Sequence, residues 1–480
     1  GISFSLVSLF FYPLSQSLSG KGQYYLTWKL INTYEYIAAF TILFFISIFL
    51  ISQIEKIKSK NLKLISFIFI SFLPFAFFLI HFLRQFIGVS NVKYLSQFIF
   101  SLNGFVVILF LIFLAAYFKK LWIYSLYDLL KKILLILLPL SFFTNSFIIF
   151  YGLNGHIDNT GLIENFEKNY TIQKKNDIYI FLFDELDFSI LYDGGESVDK
   201  KFKNIKKLSD KSINYLNARA PGNATLSSIP QLLIGKKIQR IHVCGANLCY
   251  DDDRGSQLLN TSENIFKLAQ NNQYKTALIG WVHKYCTQYG TNLDFCRSYS
   301  LYNYSSFQDG FSILNPFFTN IILLPYQFPF GFLKNPVYSK MHHRNNLRVQ
   351  NILKKIIEYT ESTPVLLFAH YSVPHIPYVY EIDKYQPSLN PFEKNIEKYT
   401  MQLKYVDKMI GELIEKINYE KKLEEATIIL LSDHGLRHTL DGSEFNHVPM
   451  IVYTGNNPIY KKVINKVQTE EVIKSIIEKN

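Results

Sequence analysis

The chain has 480 residues, room for two or more domains, with 49% hydrophobic residues and a formal net charge of +12. Its lysines flank apolar runs or are scattered among Asn and Ile. No compact basic stripe with interleaved aromatics appears, so no nucleic-acid partner is expected. The apolar content is uneven: the first third is almost continuous Phe, Leu, Ile and Tyr, and the rest alternates as a soluble domain does.

Four apolar stretches, 36–54, 64–83, 98–118 and 133–151, reach the roughly 20 residues that a helix needs to cross a bilayer. A fifth, 2–18, is shorter and contains Pro13. The opening Gly1 leaves room for a truncated or processed start, and no basic region precedes this segment as a signal peptide would require. Lys56, Lys58, Lys60 and Lys63 follow the first long stretch, and Lys119, Lys120, Lys131 and Lys132 follow the third. The loop between them has only Arg84 and Lys93. The positive-inside bias puts both lysine-rich loops in the cytoplasm and everything beyond Gly152 outside it. The expected organisation is a transmembrane domain of four or five helices over 1–152, a polar linker over 153–176, and an extracytoplasmic domain over 177–480.

From Asp177 the pattern becomes short β-branched or aromatic runs separated by helical stretches, which predicts a sheet with crossover helices. Strands are expected at 178–183, 276–281, 365–370, 427–432 and 450–453. A helix is expected at 396–418, with Leu403, Val406, Ile410, Leu413 and Ile417 on one face. Reactive groups in open α/β sheets sit at the carboxyl ends of strands. Asp184 and Glu185 follow an apolar strand in this way, where an unpaired buried charge would be costly without a cation or solvent. Asp187 is a weaker third acid and reads as a cap of the next turn.

Thr225 lies in APGNATLSSIPQLLIGK, where turn chemistry precedes a short helix. A hydroxyl at a helix N-terminus is well placed to attack a phosphate, because the terminal amides attract anions. The competing reading is an ordinary N-cap threonine, and Ser227 and Ser228 are alternative nucleophiles. Cys244, Cys249, Cys286 and Cys296 are the four cysteines. Two close pairs suit disulfides Cys244–Cys249 and Cys286–Cys296 in an oxidising compartment better than a thiolate zinc site. Asp251-Asp252-Asp253 lacks the ligand spacing of a calcium loop and reads as a solvated turn.

His375 is held between Pro374 and Pro377, a setting that fixes an imidazole able to bind a phosphoryl oxygen or protonate a leaving group. His370, at a strand end, reads as its orienting partner, a substrate group or a core histidine. In Ser432-Asp433-His434-Gly435 the glycine permits a sharp turn that lets acid and imidazole face one ion. Carboxylate plus imidazole suits Zn²⁺ or Mn²⁺. Arg437 and His438 could meet a phosphate, and His447 is a further candidate for substrate contact.

These residues, in this order, resemble the alkaline phosphatase–sulfatase superfamily over about residues 177–453, and most of all its membrane-bound branch of phosphoethanolamine transferases and lipoteichoic acid synthases. The resemblance implies an α-helical transmembrane domain followed by an α/β sulfatase-like domain with a mostly parallel central sheet flanked by helices. It implies metal ligands at Glu185, Asp433 and His434, with Asp184 matching the first of the paired acids of soluble sulfatases. Thr225, Ser228 and Pro230 keep the spacing of the threonine that carries the phosphoryl intermediate, and His375 matches a substrate-contacting histidine. The implied setting is a multi-pass protein of the inner (cytoplasmic) membrane with its catalytic domain in the periplasm. The implied partners are a membrane phospholipid donor and a cell-surface glycan or lipid acceptor. The sequence departs from true sulfatases in lacking a C/S-x-P-x-R motif, and from the transferases in having Leu436 and Arg437 after S-D-H-G. A membrane-anchored hydrolase of phosphate, phosphonate or sulfate esters is the alternative, and a non-catalytic scaffold or receptor the third.

Overall fold

A computed structural model describes residues 1–18, 22–26, 28, 30–87, 122–153, 159–160, 175–302, 312–323, 330–359, 364–381, 384–386, 392–437, 445–456 and 458–479. The expected span at 98–118, most of the linker, and His438 lie outside these residues. The chain divides into two units: Gly1–His156 with Tyr302–Val337, and Ile157–Leu301 with Tyr338–Asn480. The first unit thus takes in a segment that the sequence boundaries assign to the catalytic domain.

In the first unit, Leu30–Lys56 is a 27-residue helix. Among the described residues it is by itself long and apolar enough to cross a membrane. Lys60–Ile87 is a 28-residue helix over the second expected span. The fourth expected span is broken into Trp122–Ile136 and Leu138–Leu153, and the two pass the same test only as a pair bent by 41°. Pro139 explains the break, since its ring removes an N–H and crowds the preceding turn. The segment 2–18 forms two short helices, Ile2–Phe10 and Tyr12–Ser17, parted at Phe11 next to Pro13. The helix Leu314–Ile322 packs on Leu30–Lys56. There the buried Glu35 accepts from Ser312 N–H at 2.9 Å and from Asn315 Nδ2 at 2.7 Å.

The second unit is an α/β layer structure. Its main sheet runs, from one edge to the other, Asn159–Thr160, Phe295–Tyr299, Lys275–Trp281, Val365–Pro374, Asp177–Asp184, Ala426–Ser432, His447–Thr454, Ile213–Arg219 and Lys461–Val463, with Val467–Gln468 also paired to Ile213–Arg219. The five strands from Phe295–Tyr299 to Ala426–Ser432 are mutually parallel. His447–Thr454 is antiparallel to both its neighbours. All five expected strands are present. Ile213–Arg219, Phe295–Tyr299 and a separate small sheet of Ile241–Cys244, Asn247–Asp252 and Gly255–Leu258 are additional. Asp177–Asp184 and Ala426–Ser432 are buried along their whole length, as sheets covered on both faces require. The helix Ile396–Tyr419 starts at Asn395, whose side chain accepts from Glu397 and Lys398 N–H groups, and it buries Leu403, Val406, Ile410, Leu413 and Ile417. Disulfides join Cys244 to Cys249 and Cys286 to Cys296, the pairing expected from their spacing.

Candidate metal and nucleophile site

Strand register builds the site. Ser432 lies opposite Phe183 in the parallel pair formed by the two central strands, so Asp184-Glu185 and Asp433-His434 leave the sheet side by side. Successive strand residues point to opposite faces. Glu185 departs from that rule with φ +62°, and both its carboxyl and that of Asp184 end up buried. Asp433 Oδ1 accepts from the N–H of Glu185 at 3.2 Å and of His434 at 2.9 Å, tying the two turns together. Ser432 Oγ accepts from Leu186 N–H at 2.8 Å and reinforces the same junction. Gly435 does not need a left-handed backbone here. A Cβ there would sit 3.3 Å from Asp187 Oδ2, a tight contact that glycine avoids.

The helix Thr225–Ile234 is capped at the backbone by Ala224, which makes no side-chain cap bond. Thr225 is therefore the first helical residue rather than the N-cap. Its hydroxyl faces the acids instead, 3.4 Å from Asp184 Oδ1 and 3.3 Å from His434 Nε2. The other two hydroxyls are turned elsewhere: Ser227 donates to Ala224 O at 3.1 Å and Ser228 to Asp433 O at 2.6 Å. His434 donates from Nδ1 to Gly435 O at 2.9 Å, which leaves the Nε2 lone pair facing Thr225, with Asp433 Oδ2 at 3.5 Å and Asp184 Oδ1 at 3.7 Å.

Around this centre the remaining expected residues divide. Arg437 donates from Nε to Glu185 Oε1 at 2.9 Å and from Nη2 to His375 Nε2 at 3.3 Å. His375 Nδ1 is satisfied by Ile376 O, and His375 is flanked by cis peptides at Val373–Pro374 and Ile376–Pro377. His370 is fully buried next to the acids: one of its ring nitrogens and one oxygen each of Asp184 and Asp433 lie within 4.8 Å of one another. His447 is held elsewhere, donating to Leu216 O at 2.9 Å and stacking on Phe188 at 4.2 Å. Asp187 caps the helix Phe188–Tyr192. Asp252 belongs to a hairpin and pairs with Arg254.

Three residues that the sequence reading passed over support the site. His283 donates from Nε2 to Thr225 O at 3.0 Å, and burial lowers its pKa to about 4, so it stays neutral. Tyr285 contacts His370 Nδ1 at 2.8 Å. Tyr399 donates to Glu185 O and accepts from Asp187 N–H at 2.9 Å. His283 was findable, since it follows the carboxyl end of the strand Lys275–Trp281 just as the acids follow theirs. Tyr399 sits inside a helix with nothing in its local pattern to mark it.

The electrostatics favour a cation. Burial, then Asp433 and Glu185, raise the Asp184 pKa well above the usual carboxylate range. Burial also pushes Glu185 up, but His375, His434 and Arg437 outweigh it and hold that group below its ordinary value. Burial, above all, drives His370 well below the ordinary imidazole range. Glu185 Oε2, Asp433 Oδ2 and His370 Nε2 are buried without a hydrogen-bond partner. Orphaned buried polar atoms are costly unless something satisfies them, and one atom each of Asp184, His370 and Asp433 lie within 4.8 Å of one another. Buried carboxylate oxygens with imidazole nitrogens form a donor set that fits Zn²⁺ or Mn²⁺. Asp184, His370 and Asp433 could hold such an ion, and Glu185 and His434, the other expected ligands, lie beside them, with the Thr225 hydroxyl at 3.3 Å from His434 Nε2.

A family model described as Sulfatase matches residues 185–476. No curated protein sequence matches the chain. Among solved structures, it is similar to a sulfatase from Pseudoalteromonas sp. at 16% identity, covering 63% of this chain and 68% of that one with a TM-score of 0.42. It is also similar to the phosphonate monoester hydrolase of Agrobacterium radiobacter, at 13% identity over 62% and 72% with a TM-score of 0.39. The lipoteichoic acid synthase LtaP from Listeria monocytogenes matches at 12% identity over 66% and 76%, TM-score 0.39. The family match covers more than half of the chain and takes in Glu185, Thr225, His375, Asp433 and His434, so the chain belongs to the sulfatase family.

Proposed function

We propose that this sulfatase-family enzyme is a metal-dependent, membrane-bound phosphotransferase that passes a phospholipid-derived head group to a cell-surface glycan or lipid through a phospho-threonine at Thr225. The observation that carries this reading is the Thr225 hydroxyl at a helix N-terminus, 3.3 Å from His434 Nε2 and 3.4 Å from Asp184 Oδ1. A bound divalent cation would lower the pKa of that hydroxyl and neutralise phosphoryl oxygens. Thr225 Oγ1 bonds to phosphorus as the phosphorus–oxygen bond to the lipid alcohol breaks, and its proton passes to Asp184 Oδ1, to which that hydroxyl already donates. Arg437 and His375, themselves 3.3 Å apart, supply a guanidinium and an imidazole at the rim of the site for the phosphoryl oxygens and the leaving oxygen. The acceptor hydroxyl then bonds to phosphorus, the Thr225 oxygen leaves, and the proton returns to it. Leu436 and Arg437 after S-D-H-G give the site a fixed positive group of its own.

The membrane placement rests on the first unit. Phe69 is 82% exposed, Ile136 75%, Phe143 69% and Phe150 67%, an apolar surface that suits lipid rather than water. Glu55 pairs with Lys63 at 3.2 Å and with Lys131 at 2.8 Å, so lysines from both basic loops gather at one end of the unit. That gathering supports a cytoplasmic position for both loops. We place the second unit on the extracytoplasmic side, in the periplasm, where two disulfides persist. Membrane attachment raises the effective concentration of a lipid donor.

The test is incubation of the purified full chain with a fluorescent phospholipid, with and without acceptor glycan, followed by intact-mass measurement. The expected result is a head-group adduct on Thr225 that builds up without acceptor and discharges when acceptor is added. Steady lipid turnover to water without acceptor would replace the transferase with a hydrolase. No adduct and no turnover would overturn both.

A further inference from the structure

We infer that His370 is a direct ligand of the ion, a second imidazole joining His434, rather than a core histidine or a substrate group; this rests on the metal-site reading above. The strand Val365–Pro374 pairs with Asp177–Asp184 and places His370 opposite Leu182, two residues before Asp184. His370 is 0% exposed, and one ring nitrogen lies within 4.8 Å of both an Asp184 and an Asp433 oxygen. Its Nδ1 is 2.8 Å from the Tyr285 hydroxyl, while Nε2 has no hydrogen-bond partner. A neutral imidazole carries one N–H, so two tautomers are available. With the proton on Nε2, a buried donor is left unsatisfied. With the proton on Nδ1, donated to the tyrosine oxygen, the Nε2 lone pair is free to bind a metal. The second arrangement satisfies both nitrogens once an ion is present, and metal-bound histidines are oriented through their other nitrogen in this way.

The packing behind His370 keeps that orientation. Gly280 makes room for it: a Cβ there would fall 2.5 Å from Tyr285 Cε2 and 3.1 Å from His370 Cβ. The Trp281 ring lies 6.1 Å from His370 and closes another side. His370 and His434 thus approach Asp184 and Asp433 from different strands, and each has its Nδ1 at an oxygen, Tyr285 Oη for one and Gly435 O for the other.

Co²⁺ replaces Zn²⁺ or Mn²⁺ as a paramagnetic probe, and proton NMR of the Co²⁺-loaded full chain counts ligating imidazoles by their strongly shifted, exchangeable N–H signals. Two such signals are expected, one vanishing in His370→Gln and the other in His434→Gln. In a chelator competition, His370→Gln should weaken Zn²⁺ binding by about 100-fold, the upper end of what losing even an outer partner costs. Tyr285→Phe, which keeps the ring, should weaken it by about tenfold. A single signal in the unmutated protein, lost only in His434→Gln, overturns the assignment of His370 and leaves the metal site standing. Unmutated protein that takes up neither Co²⁺ nor Zn²⁺ overturns the metal site itself. The two-signal count needs no variant, so it decides the matter even if His370→Gln does not fold.

Discussion

Asp177 and Asp184 close the two ends of one strand, and both carboxyls are buried, yet their surroundings are opposite. At the Asp177 end each oxygen has a donor: Val365 N–H reaches Oδ1 at 2.9 Å and Tyr179 Oη–H reaches Oδ2 at 2.7 Å. At the Asp184 end the Thr225 hydroxyl reaches Oδ1 only at 3.4 Å, two further carboxylates act on the group, and buried oxygens of Glu185 and Asp433 have no hydrogen-bond partner. Burial raises both pKa values, to about 6 for Asp177 and well above the ordinary range for Asp184; at the first end hydrogen bonds from Tyr179 and Val365 oppose it and the Glu425 charge is the last of the causes, whereas at the second end the charges of Asp433 and Glu185 come directly after burial. An acid supplied with donors anchors a strand. An acid turned toward other acids marks a place kept for something cationic.

That contrast can be broken or sharpened by measurement. The largest effect expected is from Thr225→Ala, which should lower turnover by roughly 10³-fold or more and abolish the adduct while leaving the melting temperature nearly unchanged. Lipid turnover and intact mass read the first two, and a thermal melt reads the third; retained turnover would move the nucleophile elsewhere. Next is Asp433→Asn. Its Oδ1 bonds can survive and an amide replaces the orphaned oxygen, so Zn²⁺ affinity should fall by about 100-fold. The metal-stripped variant should melt no lower than stripped unmutated protein, since one repulsion with Asp184 is gone. Asp177→Ala should do the reverse, costing about 3 kcal/mol of stability by stranding the buried Val365 N–H, with Zn²⁺ affinity unchanged. Denaturant titration and chelator competition separate the two ends, and a variant that loses both properties at once would erase the distinction.

A pH effect of on the order of 2–3 kcal/mol follows from Asp177. Its pKa is higher folded, about 6, than the unfolded value of about 4. Its contribution to stability is therefore complete below about pH 4 and is lost as pH rises through about 6. Comparing unfolding of unmutated protein and Asp177→Asn across this window should show the slope only in the former. The smallest effect is expected from Arg437→Gln, about a tenfold fall in kcat/KM for the phospholipid. It should also lower stability somewhat, because Glu185, the partner of this partly exposed guanidinium, is fully buried.

Much of the second unit was legible because wholly apolar strands ending in Asp-Glu or Asp-His break the usual alternation, and such breaks need a physical cause. Ile213–Arg219 was harder to see, since INYLNAR buries only scattered positions and draws its pairing from strands far along the chain. The return of Tyr302–Val337 to the helical unit has no local signal, because the partner of Asn315 is Glu35, 280 residues away. The role of Thr225 turned on one residue of helix phase: with Ala224 in the cap position its hydroxyl is released toward the acids. His370 looked the same as any core histidine until the unpartnered nitrogen could be located in space.

The left-handed backbone at Glu185 has one more consequence. A residue with a side chain held in that region costs on the order of 1 kcal/mol or more, and glycine would remove the penalty. Any search for heat-tolerant variants should therefore be drawn to Glu185→Gly, and would select against the very carboxylate we propose as a ligand of the ion. Durability and chemistry compete here at a single peptide unit.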